Sequence, residues 1–389
     1  MAQKHLYCRF GLIGENLELK QNVNLYFDEE GIITDFKFEE IDTDITLDRM
    51  QENYLVIPGL INSHTHIGDS FAKEKGHNKE LIEVVSPPNG IKHQLLRETA
   101  ESEKIKGIKS AIQEMISNGI TYFMDFRENG VKGIESLQKA LRNESIRCLI
   151  FGRFNQLDEV KKVFNKSDGI GLSSYHQLSE ELKTELRTMK SFSSKKLACH
   201  VAELNHEDFL FKQIMDDALV DIMIHGTQLE SNELRKIKQN NIKLVLCPRS
   251  NGYFGLGYPP VKDLLELSIP ISLGTDNVMV NNLNLFEEMR YLYYIAKNQI
   301  RDDKSIKIIA KNIFKMVTIN AAKNFYIESK VGSISLGKLA DLVIINLNDP
   351  NYYFNNLDRD GFFSLLLHRT NGRNIKRVYI GGKCIYEGK

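Results

Sequence analysis

Eight short apolar runs recur through the middle of the chain, separated by segments of helical periodicity. They cover 54–66 (YLVIPGLINSHTH), 120–126, 146–154, 169–174, 197–203, 220–227, 242–250 and 269–276. From the second run onward they return about every 20–30 residues, the length of a strand plus a crossover helix. Runs this rich in Ile, Leu and Val suit strands buried on both faces. Segments 103–119 and 231–241 carry amphipathic helical patterns between them. Alternating strands and helices on this scale fit a closed barrel. The main rival is an open doubly wound sheet, but no glycine-rich dinucleotide loop follows the first strand, and SHTHIGDS stands in its place.

The ends of the chain differ from its middle. Residues 22–38, 340–347 and 374–389 read as short β pieces, and neither terminal segment is long enough to bury a core alone. The expected class is therefore α/β, a (β/α)8 TIM-like barrel over 56–330. A small β-sandwich domain is expected from 1–55 together with 331–389.

Lys+Arg and Asp+Glu both number 51, so no net charge draws the chain to nucleic acid or an anionic membrane. No run is long and apolar enough to span a bilayer, and MAQKHLYCRF does not read as a secretory signal. The five cysteines are widely spaced with no CxxC pair, which points to free thiols and a cytoplasmic setting. The expected partner is a small-molecule substrate, and a homodimer is allowed.

His64 and His66 end the first run. Positions i and i+2 of a strand point the same way, so both imidazoles can face one point. Imidazole is a good ligand for zinc, iron and similar ions. His200 ends the fifth run, His225 the sixth and Asp276 the eighth. Barrel active sites are assembled from such carboxyl-terminal strand ends. Glu203, three residues after His200, can face the same cavity and carry protons, or open the next helix as a solvated acid. Arg127 and Glu128 follow the second strand; Arg249, Ser250 and Asn251 follow the seventh. All five are candidate substrate contacts at the rim, with surface ion pairs as the alternative.

PGLINSHTH, HVAE, the strand-end His225, CPRSN and LGTDN together resemble the amidohydrolase superfamily. The resemblance extends from about residue 54 to about 347, through NLFEEMR, TINAAKNF and GSISLGKLADLVIINL. It is nearest in pattern to the branch holding cytosine, guanine and S-adenosylhomocysteine deaminases and the triazine hydrolases. The resemblance implies His64, His66, His200 and Asp276 as metal ligands and Glu203 as proton shuttle. It also implies His225 as the residue that orients the water or stabilises the reacting oxygen, and Asp276 as acceptor of the water's proton. The implied activity is hydrolysis of a non-peptide carbon–nitrogen bond, foremost deamination of an amino-substituted purine, pyrimidine or related ring. Triazine-type dechlorination or amine removal, cyclic amide cleavage and a scaffold without catalysis are the alternatives.

Two-metal members of the superfamily carry a bridging lysine at the end of the fourth strand. Here that strand ends in Ser173 and Ser174, while Lys195 and Lys196 precede the fifth, so one divalent metal is expected, zinc or iron(II). Residues 68–98 form an insertion after the first strand. Such a connection is expected to act as a lid that supplies substrate contacts, with Lys73, Lys92 and His93 as minor candidates.

Overall fold

A computed structural model gives the fold and describes residues 3–41, 44–48, 50–154, 156–301 and 310–388. Strands β1 (Lys4–Ile13), β2 (Glu18–Phe27), β3 (Ile33–Glu39) and β4 (Tyr54–Pro58) open the chain. Then follow β5 (Leu60–His66), β6 (Ile120–Arg127), β7 (Arg147–Gly152), β8 (Gly169–Leu172) and β9 (Lys196–Val201). β10 (Ile222–His225), β11 (Lys243–Leu246), β12 (Ile271–Leu273) and β13 (Asp276–Asn277) complete the middle. The chain ends in β14 (Leu342–Asn346), β15 (Ile375–Ile380) and β16 (Lys383–Glu387).

The middle strands form one parallel sheet in the order β12-β11-β10-β9-β8-β7-β6-β5-β13. β12 and β13 are consecutive parts of the eighth strand. The first pairs with β11 and the second with β5, so the sheet curls until its two ends meet. This is the expected barrel, in distorted form. Its outer helices bury apolar stripes at helical spacing: in Glu101–Ser117 the buried positions are Ile108, Ala111, Ile112, Met115 and Ile116.

The terminal β-sandwich comes from both ends of the chain, in the order β16-β15-β14-β4-β1-β2-β3. Its strands alternate cleanly. Leu55, Ile57, Val343 and Ile345 join the large core against the barrel helices, whereas Val56, Leu342 and Ile344 join a separate core with Val23, Leu25 and Phe27. Full burial of each such side chain contributes roughly 1.5–3 kcal/mol.

The single run at 54–66 divides between the two sheets. Gly59 N donates to Asp341 O, and Leu60 N, one residue later, donates to Gly119 O, so the backbone changes partners there. A Cβ on Gly59 would lie 2.2 Å from Thr121 Oγ1, and only glycine lets the chain pass that close to β6.

The insertion is largely helical: a 3-10 turn over Ile67–Ala72, then α1 (Leu81–Val85) and α2 (Ile91–Glu98). All five cysteines are free; Cys8, Cys199 and Cys247 are buried, while Cys384 on β16 is exposed. No helix among the described residues is long and apolar enough to cross a membrane.

Candidate metal centre and active site

The barrel is plugged by Ile61, Met124, Phe126, Phe151, Ile222, Ile224 and Val245. Phe126 and Phe151 stack at 5.0 Å between centroids, and the His64 ring sits 4.2 Å from Phe126. The histidines therefore stand on a dry aromatic floor at the carboxyl ends of the strands. A Cβ on Gly274 would lie 2.5 Å from His64 Cβ, so glycine there lets the eighth strand press against the first.

Two overlapping groups of side chains converge above this floor. His64, His66 and His200 form one, and His64, His225 and Asp276 the other; within each, ligand atoms lie within 4.8 Å of one another. His64 Nε2 is 3.2 Å and His66 Nε2 3.5 Å from Asp276 Oδ1. His225 and Asp276 are held at φ of 72° and 60°, left-handed conformations that non-glycine residues adopt rarely. Such strain gathers at functional sites, where the surrounding structure enforces it.

Hydrogen bonds fix which face each ring turns inward. His66 Nδ1 lies 2.9 Å from Phe126 O and 2.7 Å from Glu128 Oε1, two acceptors, so Nδ1 carries the proton and Nε2 points to the centre. His200 Nδ1 is 2.8 Å from Leu172 O, so Nδ1 carries the proton and the Nε2 lone pair accepts from Arg153 Nη2 at 3.2 Å. His225 Nδ1 is 3.2 Å from Asn251 Oδ1, and its Nε2 is 3.4 Å from Glu203 Oε1. His64 is fully buried, and neither of its ring nitrogens has a hydrogen-bond partner among the described residues.

Burial pushes His64 down to about 4, and holds His66 and His200 well below the usual histidine range. Neutral imidazoles keep the lone pair that a metal needs. Burial disfavours the charged form of Asp276 too, yet the surrounding His64, His225 and His66 hold its carboxyl well below the usual range. Ser250 Oγ donates to Asp276 Oδ2 at 2.5 Å. Burial raises the Glu203 carboxyl, so the two acids in one cavity are shifted in opposite directions. Three neutral imidazoles, one of them the fully buried His64, and an ionised carboxylate suit a divalent metal.

The rim residues separate. Ser250 and Asn251 reach Asp276 and His225, as described. Arg249 turns away, toward Asn282 Oδ1 at 3.0 Å, Glu287 at 3.1 Å and Glu288 at 3.4 Å. Arg127 is buried between Asp125 at 3.2 Å and Glu128 at 2.6 Å. Glu128 also meets Lys92 Nζ at 2.5 Å, and Lys92 is 3.3 Å from Asp69. Despite burial, Lys92, His66 and Arg127 hold Glu128 well below the usual carboxylate range.

A cavity of about 210 Å³ opens on the cluster, lined by His66, His200, Glu203, His225 and Asp276 on the barrel side. The insertion closes it from above with Leu81, Ile82, Val85, Ser86, Pro87 and Lys92. Ser173 lines the cavity, whereas Lys195 bonds Phe164 O and Lys196 opens β9 at the opposite end of the strand. Sequence reasoning passed over Arg153, which also lines the cavity; its place just after β7 was the available signal.

The amidohydrolase family model matches residues 55–385. An uncharacterized protein of Methanocaldococcus jannaschii is 35% identical, over 89% of this chain and 91% of its own. The 5-methylthioadenosine/S-adenosylhomocysteine deaminase of Thermoanaerobacter pseudethanolicus is 26% identical, over 96% and 91%. Among solved structures, a zinc-bound adenosine deaminase from Xanthomonas campestris superposes with TM-score 0.81 at 19% identity, covering 98% of this chain and 92% of that one. Guanine deaminase from C. acetobutylicum with bound guanine gives 0.78 at 20%, covering 99% and 100%.

Proposed function

The chain belongs to the amidohydrolase family, as a metal-dependent hydrolase, and from that premise we propose that it deaminates an amino-substituted heterocycle. The catalytic unit in this reading is the barrel, 56–330, with 1–55 and 331–389 as its β-sandwich companion. His64, His66, His200 and Asp276 would hold one divalent ion, zinc foremost, as in the adenosine deaminase that shares the fold. The observation that carries this is the convergence of the two side-chain groups around the fully buried His64, whose Nε2 faces Asp276 Oδ1 at 3.2 Å. Bound there, a divalent ion supplies the Lewis acidity that makes water nucleophilic near neutral pH.

The chain's own residues handle the protons. Asp276, ionised beside the histidines, takes one proton from the attacking water. Glu203, whose carboxyl holds its proton more tightly than an exposed glutamate, gives it to the adjacent ring nitrogen. His225, oriented by Asn251, faces the new carbon–oxygen bond. The carbon–nitrogen bond then breaks, the amine leaves with the proton Asp276 had taken, the proton left on the new carbon–oxygen group returns to Glu203, and the products are ammonia and the oxo heterocycle. The names of relatives support a purine-type ring, and the free thiols support a reducing, cytoplasmic setting.

The test is metal analysis followed by an ammonia-release screen on the same preparation, against aminopurines, aminopyrimidines, pterins and nucleosides. One metal per chain and ammonia from at least one ring are expected. His64→Ala should lose both metal and turnover. Full activity in metal-free protein would overturn the reading.

A further inference from the structure

The inner cavity, about 210 Å³, is smaller than the roughly 300–1,000 Å³ that ligand sites usually enclose. It does not stand alone. Pro87, Arg153 and Ser173 line both it and a second cavity of about 590 Å³. Arg97, Glu128 and Asn129 are shared between the second cavity and a third of about 480 Å³. Each cavity thus shares walls with the next, outward from the site.

The walls change character outward. The inner cavity is roofed by the apolar Leu81, Ile82 and Val85. The second carries His93, Arg97 and Arg153, and the third Arg97, Lys104 and Lys132 with the single further acid Glu159 beside the shared Glu128. The Glu128 carboxylate, shared between the outer two, is already engaged by Lys92 and Arg127. Arg97 donates to Pro88 O at 2.8 Å and Lys104 to Leu96 O at 2.9 Å, both neutral acceptors; Glu159 on the third cavity and Glu101 near Lys104 offset only part of the charge. No ion pair engages Arg97, Lys104 or Lys132 within 4.0 Å among the described residues. A chain of zero net charge thus places an excess of cations on the cavities that neighbour its site, which is how proteins draw in and hold anions.

We propose that this outer groove binds an anionic arm of the substrate, so that the substrate class is an amino-heterocycle carrying a terminal phosphate or carboxylate. The ring occupies the inner cavity, the substituent passes Arg153, and the anion reaches Arg97, Lys104 and Lys132. The guanidinium fork of Arg97 suits either anion, bonding two of its oxygens at once. The ring half of this statement rests on the deamination reading; the charge of the groove does not.

Two measurements on the metal-loaded enzyme separate the halves. The first is equilibrium binding of ribose 5-phosphate against ribose, to wild type and to the double variant Arg97→Ala/Lys132→Ala. Both residues are exposed, so the variant should fold. Ribose 5-phosphate should bind wild type about tenfold or more tighter than ribose does, the scale of hydrogen bonds to charged groups, and the variant should lose that margin. Equal binding of the two sugars, or a margin that survives in the variant, overturns the proposal. The second is ammonia release from matched sets of nucleosides, nucleoside 5′-phosphates and nucleoside 5′-carboxylates. A kcat/KM preference for either anion that collapses in the variant supports the groove and identifies which anion it takes. Turnover of bare nucleosides with no anion effect overturns it while leaving the deamination reading intact. If no ring releases ammonia but ribose 5-phosphate still binds through Arg97 and Lys132, the deamination reading fails and the groove stands.

Discussion

Lys92 places its ammonium 2.5 Å from the same Glu128 oxygen that lies 2.7 Å from Nδ1 of His66. The insertion is thereby tied through one carboxylate to a histidine of the converging cluster, with all three side chains at 3% exposure or less. A carboxylate on the outer nitrogen of a metal-binding imidazole fixes its tautomer and makes it a better donor.

Glu128→Gln tests that relationship: the amide oxygen can still accept from His66 and Lys92, while the amide nitrogen gives up the Arg127 contact, so a thermal melt accompanies the metal titration to separate the two effects. Removing the charge should weaken metal affinity by about 10–100-fold, read by competition with a chelator. Unchanged affinity would reduce Glu128 to a tether for the insertion.

Glu203→Gln separates proton transfer from ligation. Glu203 contacts His225 at 3.4 Å and lines the cavity, yet belongs to neither converging group. The variant should keep its metal and slow the chemical step by about two orders of magnitude or more. Single-turnover rates within a few fold of wild type would remove Glu203 from the mechanism.

Glu288 makes a prediction about pH. Burial raises its carboxyl to about 7, against the opposing pull of Arg249. The folded state therefore binds this proton more tightly than the unfolded state does. The resulting stability is fully present below the unfolded value near 4.5 and is lost as pH rises through about 7. Glu288→Gln keeps a neutral group at every pH, so its stability relative to wild type should rise between pH 5 and pH 8. Denaturant titrations at the two pH values should show the gap moving that way; a constant gap would mean that the raised carboxyl does not exist.

The strand-end histidines were legible because alternation along a strand and position at its end are local properties, written in HTH, HVAE and the end of β10. The barrel was legible for the same reason, as a repeat of strand and helix. The division of 54–66 was not, since a run buried throughout looks alike whichever sheet it joins, and the switch at Gly59 depends on Thr121, distant in sequence. Lys92 and Arg153 gained their places only through tertiary contacts with Glu128 and His200. Arg249 shows the converse: position after β11 sets where a side chain starts, and Asn282 and Glu287 decide where it ends.

The insertion makes the last prediction. Val84 is fully buried in a small apolar cluster with Leu81, Phe254 and Met279, which anchors α1 to the barrel rim. Ile82, on the same short helix, is 58% exposed although it lines the cavity, as does Val85. An apolar side chain left that open at a ligand site gains burial only when something enters. Ile82→Ala and Val85→Ala should therefore leave metal content and fold unchanged and raise KM about tenfold, the scale of lost apolar contact in a binding pocket, with a smaller effect on kcat. Val84→Ala should act differently, lowering thermal stability through a cavity in the anchor. If Ile82→Ala and Val85→Ala leave KM and substrate preference untouched, the insertion is a brace on the barrel rim and takes no part in holding substrate.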